Sequence, residues 1–225
     1  LAEEARNLFR ECGEPFGMAE CLQLLGDCEA NVMQRLKYFL EQLSIVKAIG
    51  DSDGIATAFG HVAGIGFWTG EYSDAIAGFI ASREHYRAVG NPHMVAMQTQ
   101  FIGCASHLNG DWENASLELE EAHDRLRELG LESEVNFNLH LRYFQALANG
   151  QYDLAERLTE TLDRNVQMAG NPVWVTHVLY QRARLSRLRD DFGTAQRYAE
   201  EGLVTGQSLG NPRICILHEL GLLAL

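Results

Sequence analysis

The sequence predicts an all-α protein made of antiparallel helical hairpins, and three repeating features lead to this prediction. A glycine recurs with a spacing of 40 residues, at Gly50, Gly90, Gly130, Gly170 and Gly210. A second marker keeps the same phase and places an aromatic ring in each repeat, at Tyr72, Trp112, Tyr152 and Phe192. An alanine follows that ring three residues later, at Ala75, Ala115, Ala155 and Ala195. A fixed period of this length is typical of a solenoid, in which each unit buries its apolar face against its neighbours.

The first helix of each repeat is predicted to begin directly after the repeat glycine. Several repeats continue with Asn and Pro, at Asn91-Pro92, Asn171-Pro172 and Asn211-Pro212. Asparagine offers an acceptor to the first free N–H groups of a helix, and proline is tolerated at the first helical position. Asp51 can provide the same cap in its own repeat. Because glycine suits the left-handed position that ends a helix, this short segment ends one helix and starts the next.

The second helix of each repeat is predicted to begin at the aromatic marker. Apolar residues then follow at helical spacing, as in Trp112, Ala115, Leu119, Ala122, Leu126 and Leu129. This spacing places them on one face, so we expect the marker aromatic and the alanine to lie in the core. In the first helix most repeats carry a small residue at a fixed position, at Ala63, Gly103 and Ala183, whereas one repeat has Tyr143 there.

Both ends of the chain depart from the regular period. The interval from Gly13 to Gly50 is 37 residues, which shortens the first repeat and predicts a helix starting near Asn31. We expect about five helical hairpins and a truncated C-terminal helix, forming a single solenoid over residues 1–225. Because the chain begins with Leu1 and stops within a helical pattern, we also expect it to be a fragment of a larger protein.

The composition excludes several classes of function. The net charge is −13, so the chain lacks the basic surface that direct nucleic-acid binding requires. No apolar run reaches the ~20 residues of a membrane span, and no membrane association is expected. The five cysteines form no CxxC pair, and an odd number favours a reducing compartment over a disulfide framework. We therefore expect a cytoplasmic protein and leave a homo-oligomer open.

No motif indicates a catalytic, cofactor or metal site. The sequence contains no HExxH, GxSxG or GxxxxGK[ST] pattern. Its eight histidines are scattered, and His107, His140 and His177 lie on successive first helices without the spacing of metal ligands. The sequence therefore predicts a non-enzymatic protein without a bound cofactor or metal ion.

The small residue of the first helix, the glycine before an aromatic, and the alanine three residues later resemble the tetratricopeptide (TPR) repeat. The resemblance covers nearly the whole chain, although the usual unit of that family is about 34 residues. The longer repeat is similar to those of bacterial signal-transduction ATPases and LuxR-type regulators, such as maltotriose-responsive activators, and of animal polarity adaptors. The resemblance implies a right-handed superhelix of antiparallel helix–turn–helix repeats, with the first helices on the concave face.

The same resemblance implies that binding residues lie on the concave side of successive first helices. Gly60 and Gly64 would leave an open floor there, and Arg184 with Arg187 would supply positive charge for anionic groups. Aromatic walls with a few polar groups suit a peptide or a small molecule. The candidate ligand- or partner-binding residues are Phe67, Met97, Gln100, His107, His140, Phe144, Tyr180, Arg184 and Arg187.

Two functions remain open on the sequence. The first is a ligand- or partner-sensing array of a larger bacterial transcriptional or signalling regulator, which would bind a small-molecule inducer or a protein. The second is a general scaffold that holds a peptide or a partner helix in its concave groove. No motif identifies the ligand.

Overall fold

Helices account for nearly all of the chain. The computed structural model describes residues 1–223, and within this range it contains no β-strand. The helices in that range are α1 (Ala2–Cys12), α2 (Pro15–Cys28), α3 (Val32–Ile49), α4 (Ser52–Thr69), α5 (Tyr72–Ala88), α6 (Pro92–Leu108), α7 (Trp112–Glu128), α8 (Glu132–Ala148), α9 (Tyr152–Ala169), α10 (Pro172–Leu188), α11 (Phe192–Ser208) and α12 (Pro212–Leu223). The all-α class predicted from the repeat is confirmed.

Successive helices pack against each other as hairpins. The pairs are α2–α3, α4–α5, α6–α7, α8–α9 and α10–α11, while α1 packs on α2 and α12 on α11. The chain divides into two compact units, Leu1–Leu129 with α1 to α7 and Gly130–Leu225 with α8 to α12. A single solenoid over the whole chain stays a prediction.

The turn between repeats has the capping chemistry that the sequence predicts. Gly90 adopts a left-handed φ of 74°, and the next N–H, that of Asn91, donates to the Tyr86 carbonyl at 3.0 Å. The Asn91 Oδ1 then accepts a hydrogen bond of 3.1 Å from the backbone N–H of Met94 at the start of α6. In another repeat Leu131 occupies the asparagine position, and α8 begins there without a side-chain cap. A capping side chain therefore marks most repeats but is not required for the helix to form.

An arginine closes the shortened first repeat. Helix α3 begins directly after its cap Asn31, as the spacing predicts. The Arg35 Nε–H donates to the backbone oxygens of Gly26 and Glu29, at 3.0 Å each. These bonds add a side-chain donor to carbonyl groups at the C-terminal end of α2, where the Gly26 oxygen also accepts from the backbone N–H of Glu29 at 3.3 Å.

The small residues of the first helices allow close packing within each hairpin. A Cβ on Gly103 would lie 2.7 Å from Cγ of Leu119, so α6 and α7 leave no room for a side chain there. In the preceding repeat a Cβ on Gly78 would lie 2.8 Å from Cβ of Ala63. Tyr143, which breaks the small-residue pattern, is fully buried.

The aromatic markers do not lie in the core, and this corrects the expectation from the sequence. Trp112 is 53% exposed, Tyr152 and Phe192 are also exposed, and Tyr72 is half-buried. Each ring belongs to the first residue of the second helix, so it flanks the turn rather than the interface between the helices. The alanine three residues later lies where predicted, since Ala115 is fully buried.

Candidate functional site

A cavity of about 550 Å³ lies within the first unit and is lined by residues of helices α2 to α6. We call it the α2–α6 cavity. Its lining is mostly aromatic and apolar, and a smaller number of polar groups face it. The lining residues are Gln23, Asp27, Arg35, Phe39, Thr57, Gly60, His61, Gly64, Ile65, Phe67, Trp68, Phe79, Tyr86, Met94, Gln98 and Phe101.

Paired rings form much of the cavity wall. The ring of Phe39 on α3 lies 4.5 Å from that of His61 on α4, between ring centroids. The rings of Phe79 on α5 and Phe101 on α6 stack at 5.4 Å. Trp68 stands at the end of α4 and is 81% exposed, although its side chain also lines the cavity. A bound apolar group would therefore contact aromatic carbon contributed by four successive helices.

Two glycines on α4 keep the cavity open. No heavy atom lies within 4 Å of the position that a Cβ on Gly64 would occupy, so this glycine faces empty space. A Cβ on Gly60 would approach Oγ of Ser82 at 3.2 Å and Nε2 of Gln98 at 3.5 Å. The open floor predicted from Gly60 and Gly64 is therefore present at Gly64.

Gln98 provides an unpaired polar group in the cavity wall. Its side chain is only 4% exposed, yet its Oε1 has no hydrogen-bond partner. A buried carboxamide oxygen without a partner is unfavourable, because it has given up its hydrogen bonds to water. Because this oxygen is shielded from solvent, the Gln98 side chain would have to shift before its Oε1 could bond to a group in the cavity.

His61 is the second cavity residue with an unpaired atom. Its Nδ1 is shielded from solvent and has no hydrogen-bond partner. Burial lowers the pKa of His61, and the nearby carboxylate of Asp27 raises it by a smaller amount. The imidazole therefore favours its neutral form, which carries one donor nitrogen and one acceptor nitrogen.

Some of the other polar side chains of the cavity are already hydrogen-bonded. The hydroxyl groups of Thr57 and Tyr86 form a hydrogen bond of 2.8 Å with each other. Arg35 uses its Nε–H on backbone carbonyls. Asp27, on α2, is exposed and bears the opposite charge. The cavity therefore has one cationic and one anionic side chain in its lining and no excess of either charge.

In the second unit, the structure brings together a group of the predicted binding residues. The ring of His140 on α8 lies 4.8 Å from that of Phe144. The Arg184 guanidinium of α10 lies over the Phe144 ring, 5.7 Å from its centroid, and its Nη1 is 3.5 Å from the Tyr180 hydroxyl. These four side chains form a second, half-buried group of polar and aromatic residues.

Burial controls the protonation of His140. Burial first, and the neighbouring His177 second, lower the pKa of His140 to about 3. The two imidazole rings are 4.6 Å apart, and the Nδ1 of His140 is hydrogen-bonded to Nε2 of Gln181 at 3.0 Å. His140 is therefore a neutral, hydrogen-bonded side chain at ordinary pH.

The remaining predicted residues are dispersed. Phe67 lines the α2–α6 cavity, whereas Met97, Gln100 and His107 on α6 are absent from its lining. Gln100 is fully buried, and both polar atoms of its side chain lack partners. Arg187, on α10, is half-buried.

The candidate residues chosen from the sequence did not include several that line the cavity, such as Gln98, His61 and Phe101. The 40-residue period does place His61 and Phe101 at equivalent positions of successive repeats. They follow Gly60 and Gln100 by one residue, which turns a side chain by about 100° around the helix, so the lining extends beyond the side of α4 and α6 that was expected. The signal in the sequence was an aromatic ring at the same position of two successive repeats, namely His61 and Phe101.

Within residues 1–223, no group of three or more His, Cys, Asp or Glu side chains is arranged to hold a metal ion. Among the helices of that same range, none combines the length and the apolar character that crossing a bilayer requires.

No family model matches this sequence, and no curated protein sequence matches it. Solved structures do resemble it. The BtubC (BKLC) protein of P. vanneervenii superimposes with a TM-score of 0.77 and 16% identity, covering 93% of this chain and 88% of that chain. A STAND (signal transduction ATPase with numerous domains) protein with a tetratricopeptide repeat sensor, from Pyrococcus horikoshii, also gives 0.77 and 16% identity, covering 98% of this chain. A Rap protein complexed with competence and sporulation factor gives 0.64 and 13% identity, covering 99% of this chain.

These similarities confirm the TPR-like repeat fold predicted from the repeat markers. The chain spans 35% of the length of the STAND protein and 64% of the length of the Rap protein. Both proteins therefore contain a large part with no counterpart in this chain.

Proposed function

We propose that this chain is a non-catalytic sensing array of a larger bacterial transcriptional or signalling regulator, and that the α2–α6 cavity holds its ligand or a side chain of its partner. The observation that leads to this proposal is a preformed cavity with aromatic walls and a smaller number of polar groups in its lining. Ligand sites are commonly apolar concavities with a small number of oriented polar groups.

The size and walls of the cavity support binding rather than mere imperfect packing. Its volume of about 550 Å³ lies within the range of roughly 300–1,000 Å³ typical of ligand pockets. An apolar ligand would remove the aromatic walls from water, which is favourable in proportion to the area covered.

The similar solved proteins support a sensing role. The P. horikoshii STAND protein is described as having a tetratricopeptide repeat sensor, and the Rap protein was solved with competence and sporulation factor bound. We propose the same general role for this chain, in the cytoplasm.

The mechanism we propose is a shift between arrangements of α2 to α6. A ligand in the cavity contacts side chains of all five helices, so it binds more tightly to the arrangement in which those side chains converge. Because a ligand can shift an equilibrium only through such a difference in affinity, the converged arrangement would be the signalling state. We propose no reaction at the site, since the His61 ring packs on Phe39 rather than activating a nucleophile.

The alternative is a general scaffold that binds a peptide or a partner helix. The exposure of Trp68 favours it, because large exposed aromatic residues are enriched at protein interfaces. The predicted group of His140, Phe144, Tyr180 and Arg184 would then provide a further contact surface for the partner.

A cavity-filling variant tests the proposal. Gly64→Leu would place a side chain in the empty space of the cavity. Gly193→Leu is the control, because it adds the same side chain at an exposed position of α11 in the second unit. An added Cβ meets no atom within 4 Å there either. We expect molecules that raise the melting temperature of the wild type in a screen of small molecules and peptides to lose this effect with Gly64→Leu and keep it with Gly193→Leu.

Native mass spectrometry of the same three proteins adds a direct measure of binding. Equal retention of hits by all three would exclude the cavity as the site. If those hits are instead lost with Arg184→Ala, the second group of residues is the binding surface.

A further inference from the structure

We propose that α8 and α10 in the second unit form a separate site for an aromatic acid, that is, a flat ring that carries a carboxylate or a phosphate group. The site lies outside the α2–α6 cavity, so this inference goes beyond the proposed function. Its basis is Arg184, a half-buried arginine that lies among aromatic side chains and has no carboxylate partner within residues 1–223.

The arginines of α10 differ in how their charges are compensated. Arg182 forms an ion pair with Asp163. Among the residues that the structure describes, no carboxylate forms such a pair with Arg184 or Arg187. These two arginines are three residues apart and therefore neighbours on the helix surface. In a chain with a net charge of −13, α10 thus carries two positive charges without a counter-ion.

Most of the N–H donors of Arg184 are available to a ligand. A guanidinium carries five N–H donors and no acceptor. The Tyr180 hydroxyl, at 3.5 Å from Nη1, accounts for one of these donors at a long distance. The contact with the Phe144 ring involves the positive charge and needs no acceptor atom. No nitrogen of Arg184 is both unpaired and sealed from solvent, so its free donors can be reached from outside.

The shape of the guanidinium favours an oxyanion as the ligand group. Its planar fork of N–H groups can bond to two oxygens of one carboxylate or phosphate. Phe144 and Tyr180 already hold the Arg184 side chain in contact with them, so less freedom is lost on binding than for a fully exposed arginine. Arg187 adds a second positive charge one turn further along α10.

Aromatic rings form the rest of the surface. On α8 the rings of His140 and Phe144 lie 4.8 Å apart, and on α10 those of Trp174 and His177 lie 5.1 Å apart. The rings of His140 and His177, at 4.6 Å, connect the two helices. All four rings are half-buried, so each keeps part of its surface for contact. Because rings prefer offset-stacked or edge-to-face contact with other rings, we expect an aromatic group next to the oxyanion of the ligand.

Neither helix places a negative charge beside this surface. Helix α10 contains no Asp or Glu. The carboxylates of α8 are Glu132 and Glu134 in its first turn, and Phe144 lies about 15 Å further along the helix. Burial lowers the pKa values of His140 and His177, so their imidazoles add no charge at neutral pH. The arginines therefore set the charge that a ligand meets.

Isothermal titration of the full 225-residue chain with four probes tests the site. 1-Naphthoate and 1-naphthyl phosphate each combine a bicyclic ring with an oxyanion. 1-Naphthamide replaces the carboxylate with an uncharged group of similar shape, and acetate lacks the ring. We expect the tighter-binding aromatic oxyanion to bind about tenfold or more tightly than 1-naphthamide and than acetate. The order of the two oxyanions distinguishes a carboxylate ligand from a phosphate ligand.

Variants of Arg184 identify the side chain that binds the oxyanion. Arg184→Gln removes the charge, and we expect it to weaken binding of the aromatic oxyanions about tenfold or more while 1-naphthamide binding changes little. Arg184→Lys keeps the charge without the planar fork, so we expect a partial loss. Arg164→Gln is the matched control, because it changes the net charge equally at an exposed position of α9. Circular dichroism checks the fold of each variant, and Arg184→Lys provides the comparison if Arg184→Gln loses helical content.

Three results would overturn this inference. If 1-naphthamide or acetate binds as tightly as the aromatic oxyanions, the site does not combine a charge with a ring surface. If Arg164→Gln weakens binding as much as Arg184→Gln, the probes respond only to the net charge of the chain. If Gly64→Leu abolishes binding and Arg184→Gln does not, the probes bind in the α2–α6 cavity. That last result would support the proposed function while excluding the site on α8 and α10.

Discussion

The hydroxyl of Tyr143 on α8 donates a hydrogen bond of 3.0 Å to the backbone oxygen of Gln181 on α10. Tyr143 occupies the position at which other repeats have a small residue such as Ala63, Gly103 or Ala183. Its ring is fully buried, and burial raises the pKa of its hydroxyl. One repeat therefore replaces close packing of a small residue with a large ring that is bonded to the first helix of the next repeat.

Removing this hydroxyl should cost about 0.5–1.5 kcal/mol of unfolding free energy, because a buried hydrogen bond is lost while the ring is kept. Tyr143→Phe is the variant, and urea denaturation followed by circular dichroism is the measurement. Tyr143→Ala is the comparison, with an expected cost of about 3–5 kcal/mol from the additional cavity. A Tyr143→Phe protein as stable as the wild type would show that the bond contributes no net stability.

Two helical glycines should respond in opposite directions to the same substitution. Gly103→Ala would place a Cβ at 2.7 Å from Cγ of Leu119 and 3.1 Å from its backbone nitrogen, so we expect about 1–3 kcal/mol of destabilisation. Gly64→Ala meets no atom within 4 Å and should stabilise the helix by up to about 1 kcal/mol. Melting temperatures of both variants check this, and a destabilised Gly64→Ala protein would contradict an open space at that position.

Asp190 is the one non-glycine residue with positive φ in residues 1–223, at 60°. It replaces the glycine that precedes the aromatic marker in other repeats, as at Gly150, which has φ 68°. Because a side chain is disfavoured in this conformation, Asp190→Gly should stabilise the protein by roughly 0.5–1 kcal/mol. Gly150→Asp is the reciprocal variant and should be destabilising. Equal stability of either variant and wild type in thermal denaturation would argue against conformational strain at Asp190.

The buried histidine on α8 should make stability fall in mild acid. The pKa of His140 is lowered to about 3 by burial first and by His177 second, whereas an unfolded chain has the ordinary value of 6.5. Between those values the unfolded chain binds the additional proton, so His140 stabilises the fold above pH 6.5 and this contribution is lost as the pH falls toward 3. The slope from one such group is at most about 1.4 kcal/mol per pH unit.

His140→Gln removes this titration and keeps an acceptor for the Gln181 side chain. We therefore expect its unfolding free energy to fall less than that of the wild type between pH 7 and pH 5, as measured by urea denaturation at each pH. Some slope should persist, since burial also lowers the pKa values of His177 and His218. If unfolding free energy depends on pH equally in the two proteins, the pKa of His140 is not lowered in the folded state.

The helices and their boundaries were predictable because their signals are local. The glycine–asparagine–proline segments and the positive φ at Gly90 depend on neighbouring atoms alone, and these features repeat with the sequence period. The exposed marker ring of Trp112 was not predictable in the same way. Helical spacing identifies an apolar face, but it does not say whether the first residue of the helix reaches the neighbouring helix.

The side chains that line the cavity were not predictable from the repeat. Successive residues of a helix point about 100° apart, so Gln98 and Gln100 lie on nearly opposite sides of α6, and only Gln98 is among the cavity residues. Which side of α6 meets the cavity depends on how α5 and α6 pack, and the period of the sequence does not specify this. The repeat puts His140 and Tyr180 at equivalent positions of α8 and α10, and both lie beside Phe144, although their role in binding stays a prediction.

Helices of this chain pack mainly on the helices next to them in sequence. Such a chain does not have to lose its structure in one step, because opening one hairpin breaks few contacts beyond its immediate neighbours. Amide hydrogen exchange should therefore vary from hairpin to hairpin, and a bound ligand should slow it most in α2 to α6. Resistance to a protease would likewise differ between hairpins. A ligand in the cavity should therefore protect the cleavage sites in α2 to α6 more than those in other helices.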